Sequence, residues 1–153
     1  MAVYWRISNH ADLSGKGGRV ASARWHTAGR RIVYLAESPA SAMLELLVHI
    51  EYDVDDLPEK FTLLKISAPD ALNTPILDPS KNPRWRELRE YTRVLGDKWL
   101  AGGESVLAKV PSAVVPHTWN YLLNPEHPDA KLVRIDLRSR ESLDTRLLRT
   151  KPK

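Results

Sequence analysis

A single glutamate lies inside one of the most apolar stretches of the chain. Residues 38–50 read Ser-Pro-Ala-Ser-Ala-Met-Leu-Glu-Leu-Leu-Val-His-Ile, with Glu45 near the centre. Ser38 suits a helix cap and Pro39 suits the first helical turn, so we predict a helix that runs to about Glu51. Its apolar positions follow the helical period at Met43, Leu44, Leu47 and Ile50. Because a buried carboxylate costs free energy unless it is paired or does chemistry, Glu45 marks a candidate site.

The remaining pattern indicates a single α+β domain with a short-stranded mixed sheet and flanking helices. Strands are predicted at Val3–Ile7, Ile32–Ala36, Phe61–Ser67, Ser105–Val110 and Lys131–Arg138. Residues 114–123 are ambiguous, and residues 83–100 predict a second long helix, in which Gly96 weakens the helical preference. The expected core contacts of that helix are Trp85, Leu88, Val94, Leu95 and Trp99. The strands and helices do not alternate regularly, which argues against a doubly wound fold.

Composition limits the function classes. The chain has 153 residues, enough for one domain with a real core, and no cysteine. Disulfides, thiolate metal sites and cysteine nucleophiles are therefore excluded, and a reducing cytoplasm is expected. No apolar run approaches the roughly 18–20 residues that span a membrane, and the N-terminus does not have the pattern of a signal peptide. The five histidines lack metal-binding spacing, so no metal is expected.

The net charge of +4 gives a mild preference for an anionic partner. We place a domain at residues 1–140 and a basic C-terminal tail at residues 141–153. Much of the excess charge lies near this end, at Arg134, Arg138, Arg140, Arg146, Arg149, Lys151 and Lys153. A solvated tail is the simpler interpretation. Nucleic-acid binding is the alternative, although residues 138–153 contain no aromatic side chain for stacking on bases.

Arg24, Tyr34 and Glu45 follow one another along the chain in a predicted loop, strand and helix. The planar fork of Arg24 suits two phosphate oxygens, although a surface salt bridge is the simpler role. Tyr34 could stack on an aromatic ring or serve as core. Glu45 and His49 share a helix face and suit acid–base work, with a plain ion pair as the alternative. The glycines at 15–18 lack the phosphate-loop pattern, and no dinucleotide-binding glycine motif is present.

Two separated motifs resemble the RES domain family. The first comprises RWHTAG at residues 24–29, VYLAES at 33–38 and LELLVH at 44–49; the second comprises VPSAVVP at 110–116 and NYLLNPEHP at 120–128. The resemblance extends from Tyr4 to about Leu137. It implies a fold similar to that of ADP-ribosyltransferase toxins.

The family is named for an arginine, a glutamate and a serine, which correspond here to Arg24, Glu45 and Ser112. Arg19 is an alternative match to the family arginine, because residues 20–23 before Arg24 are Val-Ala-Ser-Ala, where a glycine pair is commoner in the family. No GxSxG motif surrounds Ser112, so a substrate hydrogen bond is expected of it rather than nucleophilic attack.

The resemblance further implies a bacterial toxin that attacks NAD⁺ as its substrate and needs no cofactor. Cleavage of the nicotinamide–ribose bond develops positive charge on the ribose, which Glu45 would stabilise while Arg24 holds the pyrophosphate. Tyr34 would stack on nicotinamide. The other residues expected to hold NAD⁺ are Arg6, His26, His49, Ser112 and Asn120.

An Xre-type antitoxin is the expected partner, covering the active site and providing any contact with nucleic acid. The acceptor of ADP-ribose stays open between water, phosphate and a protein side chain. Protein ADP-ribosylation is therefore an alternative to NAD⁺ hydrolysis. A further alternative is an inactive RES-like protein that only binds the antitoxin.

Overall fold

A computed structural model describes residues 1–49 and 59–148 of the chain, excluding the side chain of residue 148. Six strands form one sheet: β1 Ala2–Ile7, β2 Val33–Ala36, β3 Lys60–Ala68, β4 Leu107–Pro111, β5 Trp119–Leu123 and β6 Arg134–Ser142. The helices are α1 Gly17–Val20, α2 Pro39–His49 and α3 Arg89–Gly102, with 3₁₀ turns at Pro128–Leu132 and Thr145–Leu148. This arrangement confirms the α+β class.

The strands lie in the order β4-β5-β2-β1-β3-β6, and each neighbouring pair is antiparallel. The sheet therefore differs from the mixed sheet that we predicted, since parallel pairing among the described residues is limited to an isolated bridge between Ile76 and Lys109. β1 and β2 pair only at Trp5 and Ala36. The two strands diverge beyond this point, next to the cavity described below.

Most strand predictions hold, with shifted ends. β5 occupies the ambiguous region and pairs with both β2 and β4. β6 begins at Arg134 rather than residue 131, because the preceding residues form a 3₁₀ turn. β6 pairs with β3 through Ser142, and Leu143 beyond it is buried. The sheet thus continues into the segment predicted as a tail, whose residues 149–153 lie outside the described part.

The helix predicted at 83–100 begins only at Arg89. The residues before it form successive turns, and Leu88 has non-helical backbone angles (φ −111°, ψ 79°). Trp85 and Trp99 are buried as predicted, whereas the core assignment of Val94 is wrong, because 66% of that residue is exposed. In α2, Leu44 is 42% exposed and so is not a core residue; the predicted helix end at Glu51 lies outside the described part.

Two hydrophobic clusters pack on opposite faces of the sheet. Val33 and Leu35 belong to the first cluster, while Tyr34 between them packs against the second. This alternation is the expected consequence of strand geometry. The second cluster is rich in tryptophan, with Trp25, Trp85 and Trp99 as its large members. No helix of the described chain is long and apolar enough to cross a membrane.

Candidate active site

A cavity of about 540 Å³ opens where β1 and β2 separate. Its walls come from β1 and the loop after it, from the segment between α1 and β2, and from α2 and β5. Arg6, Arg24, His26, Tyr34, Glu45, His49 and Asn120 all line it. The structure therefore brings together nearly all the residues singled out from the sequence.

Glu45 is held in one orientation by the β4–β5 hairpin. Its Oε1 accepts hydrogen bonds from Ser112 Oγ at 3.0 Å and from Asn120 Nδ2 at 2.9 Å. Its Oε2 lies 3.7 Å from Nε2 of His49, one helical turn further along α2. With one oxygen anchored by the hairpin and the other beside a partly exposed histidine, the carboxylate is preorganised at the cavity wall.

Glu45 is ionised at neutral pH. Burial by itself raises the pKa of this carboxyl group, but the neighbouring His49 imidazole and the hydrogen bonds from Asn120 and Ser112 together outweigh burial and lower its pKa below the usual value. Only 27% of the side chain is exposed. Glu45 is thus a fixed negative charge in a partly desolvated site.

Ser112 lies behind Glu45 rather than in the cavity wall. The residue is 2% exposed, and besides donating to Glu45, its hydroxyl accepts the backbone N–H groups of Val114 and Val115. All of its hydrogen-bonding capacity is therefore used within the protein. The geometry supports positioning of Glu45 in place of the direct substrate contact expected from the sequence.

Helix α3 holds the irregular loop that carries Arg24. Thr92 Oγ1 donates to the carbonyl oxygen of Arg24 at 2.5 Å, and Arg93 Nε donates to that of Ala23 at 2.8 Å. Both carboxylate oxygens of Asp97 accept from Thr27, one from its backbone N–H and one from its hydroxyl. Arg93 and Asp97 are four positions apart and Thr92 directly precedes Arg93, so one side of the helix holds residues 23–27.

The same face allows the loop backbone to approach very closely. Gly96 packs directly on Trp25: a Cβ added at this glycine would lie 1.6 Å from the Trp25 carbonyl oxygen. The glycine that lowers helix propensity is therefore required by this contact. Sequence reasoning treated Gly96 only as a weakness of the helix, since its partner is far away in the chain.

The Arg24 guanidinium is largely free to bind a ligand. Its Nη1 donates to the carbonyl oxygen of Arg86 at 2.8 Å, and this is its only hydrogen bond to a described residue. Burial lowers the pKa of Arg24, the charge of Arg89 lowers it further, and the Glu45 carboxylate opposes them. Arginine nevertheless stays protonated in proteins.

The described lining of the cavity carries more positive than negative charge. It contains Arg6, Lys16, Arg24 and Arg89 against Asp12 and Glu45. Within the described residues, none of these four cations has a carboxylate at ion-pair distance. Unpaired, partly desolvated guanidinium groups are stabilised by an anion, so the cavity suits a ligand that carries negative charge.

Tyr34 and His26 form a buried hydrogen-bonded pair. The Tyr34 hydroxyl lies 2.7 Å from Nδ1 of His26 and accepts the N–H of Trp25 at 3.1 Å. Burial raises the pKa of Tyr34, with the Trp25 N–H opposing, so the phenol stays protonated. His26 is only 1% exposed, so its polar atoms face the protein rather than the solvent.

The comparison with known sequences agrees with this geometry. The RES domain profile matches residues 3–146. The chain belongs to the RES domain family. A Toxin Res from Pseudomonas putida is 48% identical over 135 residues, covering 88% of this chain and 92% of the relative. A Prs ADP-ribosylating toxin from Sphingobium sp. is 34% identical, covering 95% and 96%. A Toxin Res from Photorhabdus laumondii is 36% identical, covering 90% and 89%.

Within this RES domain, Arg24 has the placement expected of a ligand-binding arginine and Arg19 does not. Arg24 lines the cavity, whereas Arg19 lies outside the lining, about half exposed, with its guanidinium 4.0 Å from Glu126. The geometry therefore does not support Arg19 as the family arginine. No cluster of potential metal ligands occurs in the ranges 1–49 and 59–148.

The sequence motifs did not indicate the residues that support the site from distant parts of the chain. Thr92, Asp97 and Gly96 position the Arg24 loop, while Arg89 and Lys16 add charge to the cavity. The spacing of Thr92, Gly96 and Asp97 along one helix face could have signalled a packed polar face. Nothing in the sequence identified its partner as the segment around Arg24.

Proposed function

We propose that this RES protein is a toxin that breaks the nicotinamide–ribose bond of NAD⁺. The main support is the position of Glu45, whose Oε1 is fixed by Ser112 and Asn120 at the wall of a cation-lined cavity. A fixed carboxylate stabilises positive charge that develops on a ribose, because it needs no reorganisation during the reaction. The cavity cations suit the two phosphates of a dinucleotide.

In the proposed step, the bond between ribose C1′ and the nicotinamide nitrogen breaks. Its electron pair goes to the ring nitrogen and neutralises the pyridinium, so nicotinamide leaves as a neutral molecule. The ribose acquires oxocarbenium character, which Glu45 stabilises through charge or through a ribose hydroxyl. An acceptor then bonds to C1′ and gives up a proton to solvent or to a nearby base such as His49.

The ring of Tyr34 provides a flat surface in the cavity wall, on which we place the nicotinamide. The Arg24 guanidinium would hold the adjacent phosphates, with Arg89 adding charge at the same wall. We assign Arg6 and Lys16 to the remaining anionic part of the dinucleotide. No metal or further cofactor is included in this proposal.

In the proposed reaction, the acceptor of ADP-ribose is water, inorganic phosphate or a protein side chain. The relative named Prs ADP-ribosylating toxin supports a protein acceptor for this chain as well. The names of the relatives also support a toxin–antitoxin pair, and we propose an Xre-type antitoxin that covers the cavity. An exposed apolar side chain, Val48, already lines the cavity, and Leu44 is exposed on the same helix; both suit a partner surface.

The test is nicotinamide release from NAD⁺ by purified wild type and Glu45→Gln, with and without phosphate. Glu45→Gln keeps the size of the side chain and removes its charge, and we expect a loss of about a hundredfold or more in kcat. Glu104→Gln changes an exposed glutamate outside the cavity lining and serves as the matched control. Equal turnover by wild type and Glu45→Gln would refute the assigned role. Product analysis identifies the acceptor.

A further inference from the structure

His26 belongs to a chain of hydrogen bonds whose direction is fixed by chemistry. The carbonyl of Gly18 can only accept, and it lies 3.0 Å from Nε2 of His26, so Nε2 carries a proton. The N–H of Trp25 can only donate, so Tyr34 accepts there and turns its own proton toward Nδ1 of His26. The neutral ring protonated at Nε2 satisfies every one of these groups.

This chain joins two separate parts of the cavity wall. Gly18 belongs to the glycine-rich segment and Tyr34 to β2, and both line the cavity. Gly18 has no room for a side chain, because a Cβ would lie 2.6 Å from the carbonyl oxygen of Arg30. With both ring nitrogens bonded to the protein, His26 has no polar atom left for a ligand.

We propose that His26 is a positioning residue that fixes Tyr34 and the glycine-rich segment as one preformed wall of the NAD⁺ cavity. The role of the wall in catalysis rests on the proposed NAD⁺ cleavage. His26 orients the Tyr34 ring through the hydroxyl and holds the Gly18 carbonyl turned away from the ligand. The reaction therefore depends on His26 through Tyr34, and not through a contact with NAD⁺.

The first test is a double-mutant cycle with His26→Leu and Tyr34→Phe, measured by nicotinamide release. Each single variant is expected to lower kcat about tenfold to a hundredfold, with a smaller change in KM. The double variant is expected to be no slower than the slower single variant, because both remove the same link. His26→Asn retains an acceptor near the Nδ1 position and is expected to recover part of the loss. Additive losses, or a rise in KM alone, would overturn the proposal.

The second test does not depend on activity. Long-range ¹⁵N–¹H spectra of the wild-type protein report the protonation of each ring nitrogen, and comparison with His26→Asn assigns the signals of His26 among the five histidines. We expect a neutral ring protonated at Nε2. The opposite tautomer, or averaging between the two, would overturn the positioning role even if NAD⁺ cleavage holds. The expected tautomer in a protein that releases no nicotinamide would instead count against the proposed function.

Discussion

The contact between Gly96 and Trp25 predicts that one added methyl group will uncouple Arg24 from the rest of the site. In Gly96→Ala the new Cβ would lie 1.6 Å from the Trp25 carbonyl oxygen, and real Cβ contacts do not fall below 3.0 Å. The loop and α3 must therefore separate by about 1.4 Å at this point. Such a shift breaks the short hydrogen bond from Thr92 to the Arg24 carbonyl and moves the guanidinium by a comparable distance.

Two opposing effects set the stability of Gly96→Ala. Alanine favours an exposed helix by about 1 kcal/mol over glycine. Overpacking of a close contact typically costs about 1–3 kcal/mol, so we expect net destabilisation of up to about 2 kcal/mol. Thermal unfolding should therefore shift downward by up to several degrees. A misplacement of about 1 Å at a catalytic group costs on the order of a hundredfold in rate, so activity should fall much further than stability.

The control lies in the same helix. Gly102 has no atom within 4 Å of its added Cβ, so Gly102→Ala introduces a methyl group into open space. This variant should unfold at or slightly above the wild-type temperature and release nicotinamide at the wild-type rate. Melting curves and turnover are measured for all three proteins at one temperature. Wild-type kcat/KM for NAD⁺ in Gly96→Ala would refute the idea that α3 positions Arg24.

Three further predictions concern the charged groups of the site. Ser112→Ala removes a hydrogen-bond donor to Glu45 and so raises the pKa of that carboxyl group. The acidic limb of the pH–rate profile should therefore move to higher pH than in the wild type. A profile that does not move would contradict the positioning role of Ser112. Because the folded-state pKa of Glu45 is lowered, its contribution to stability is present above the unfolded-state pKa and disappears as the pH falls through the lowered value. Arg24→Lys keeps the charge but loses the planar fork, so KM for NAD⁺ should rise about tenfold or more, and an unchanged KM would remove Arg24 from the phosphate contact.

Local patterns in the sequence indicated the elements that carry Glu45 and Tyr34. Glu45 interrupts an apolar helix, and the strand containing Tyr34 has a clear apolar run. The prediction failed where structure depends on distant partners. The need for Gly96 is set by its contact with Trp25, about 70 residues earlier in the chain. No local propensity encodes such a contact.

The site divides its tasks between two regions of the chain. Residues 6–49 supply most of the groups that face the cavity, including Arg24, Tyr34 and Glu45, while Arg89 and Asn120 come from later in the chain. Residues 86–120 supply their orientation, through α3 for the Arg24 loop and through the β4–β5 hairpin for Glu45. Substitutions in the later region should therefore reduce catalysis without removing any catalytic group. A substitution of Asp97 is then expected to weaken the contribution of Arg24, and a substitution of Asn120 that of Glu45.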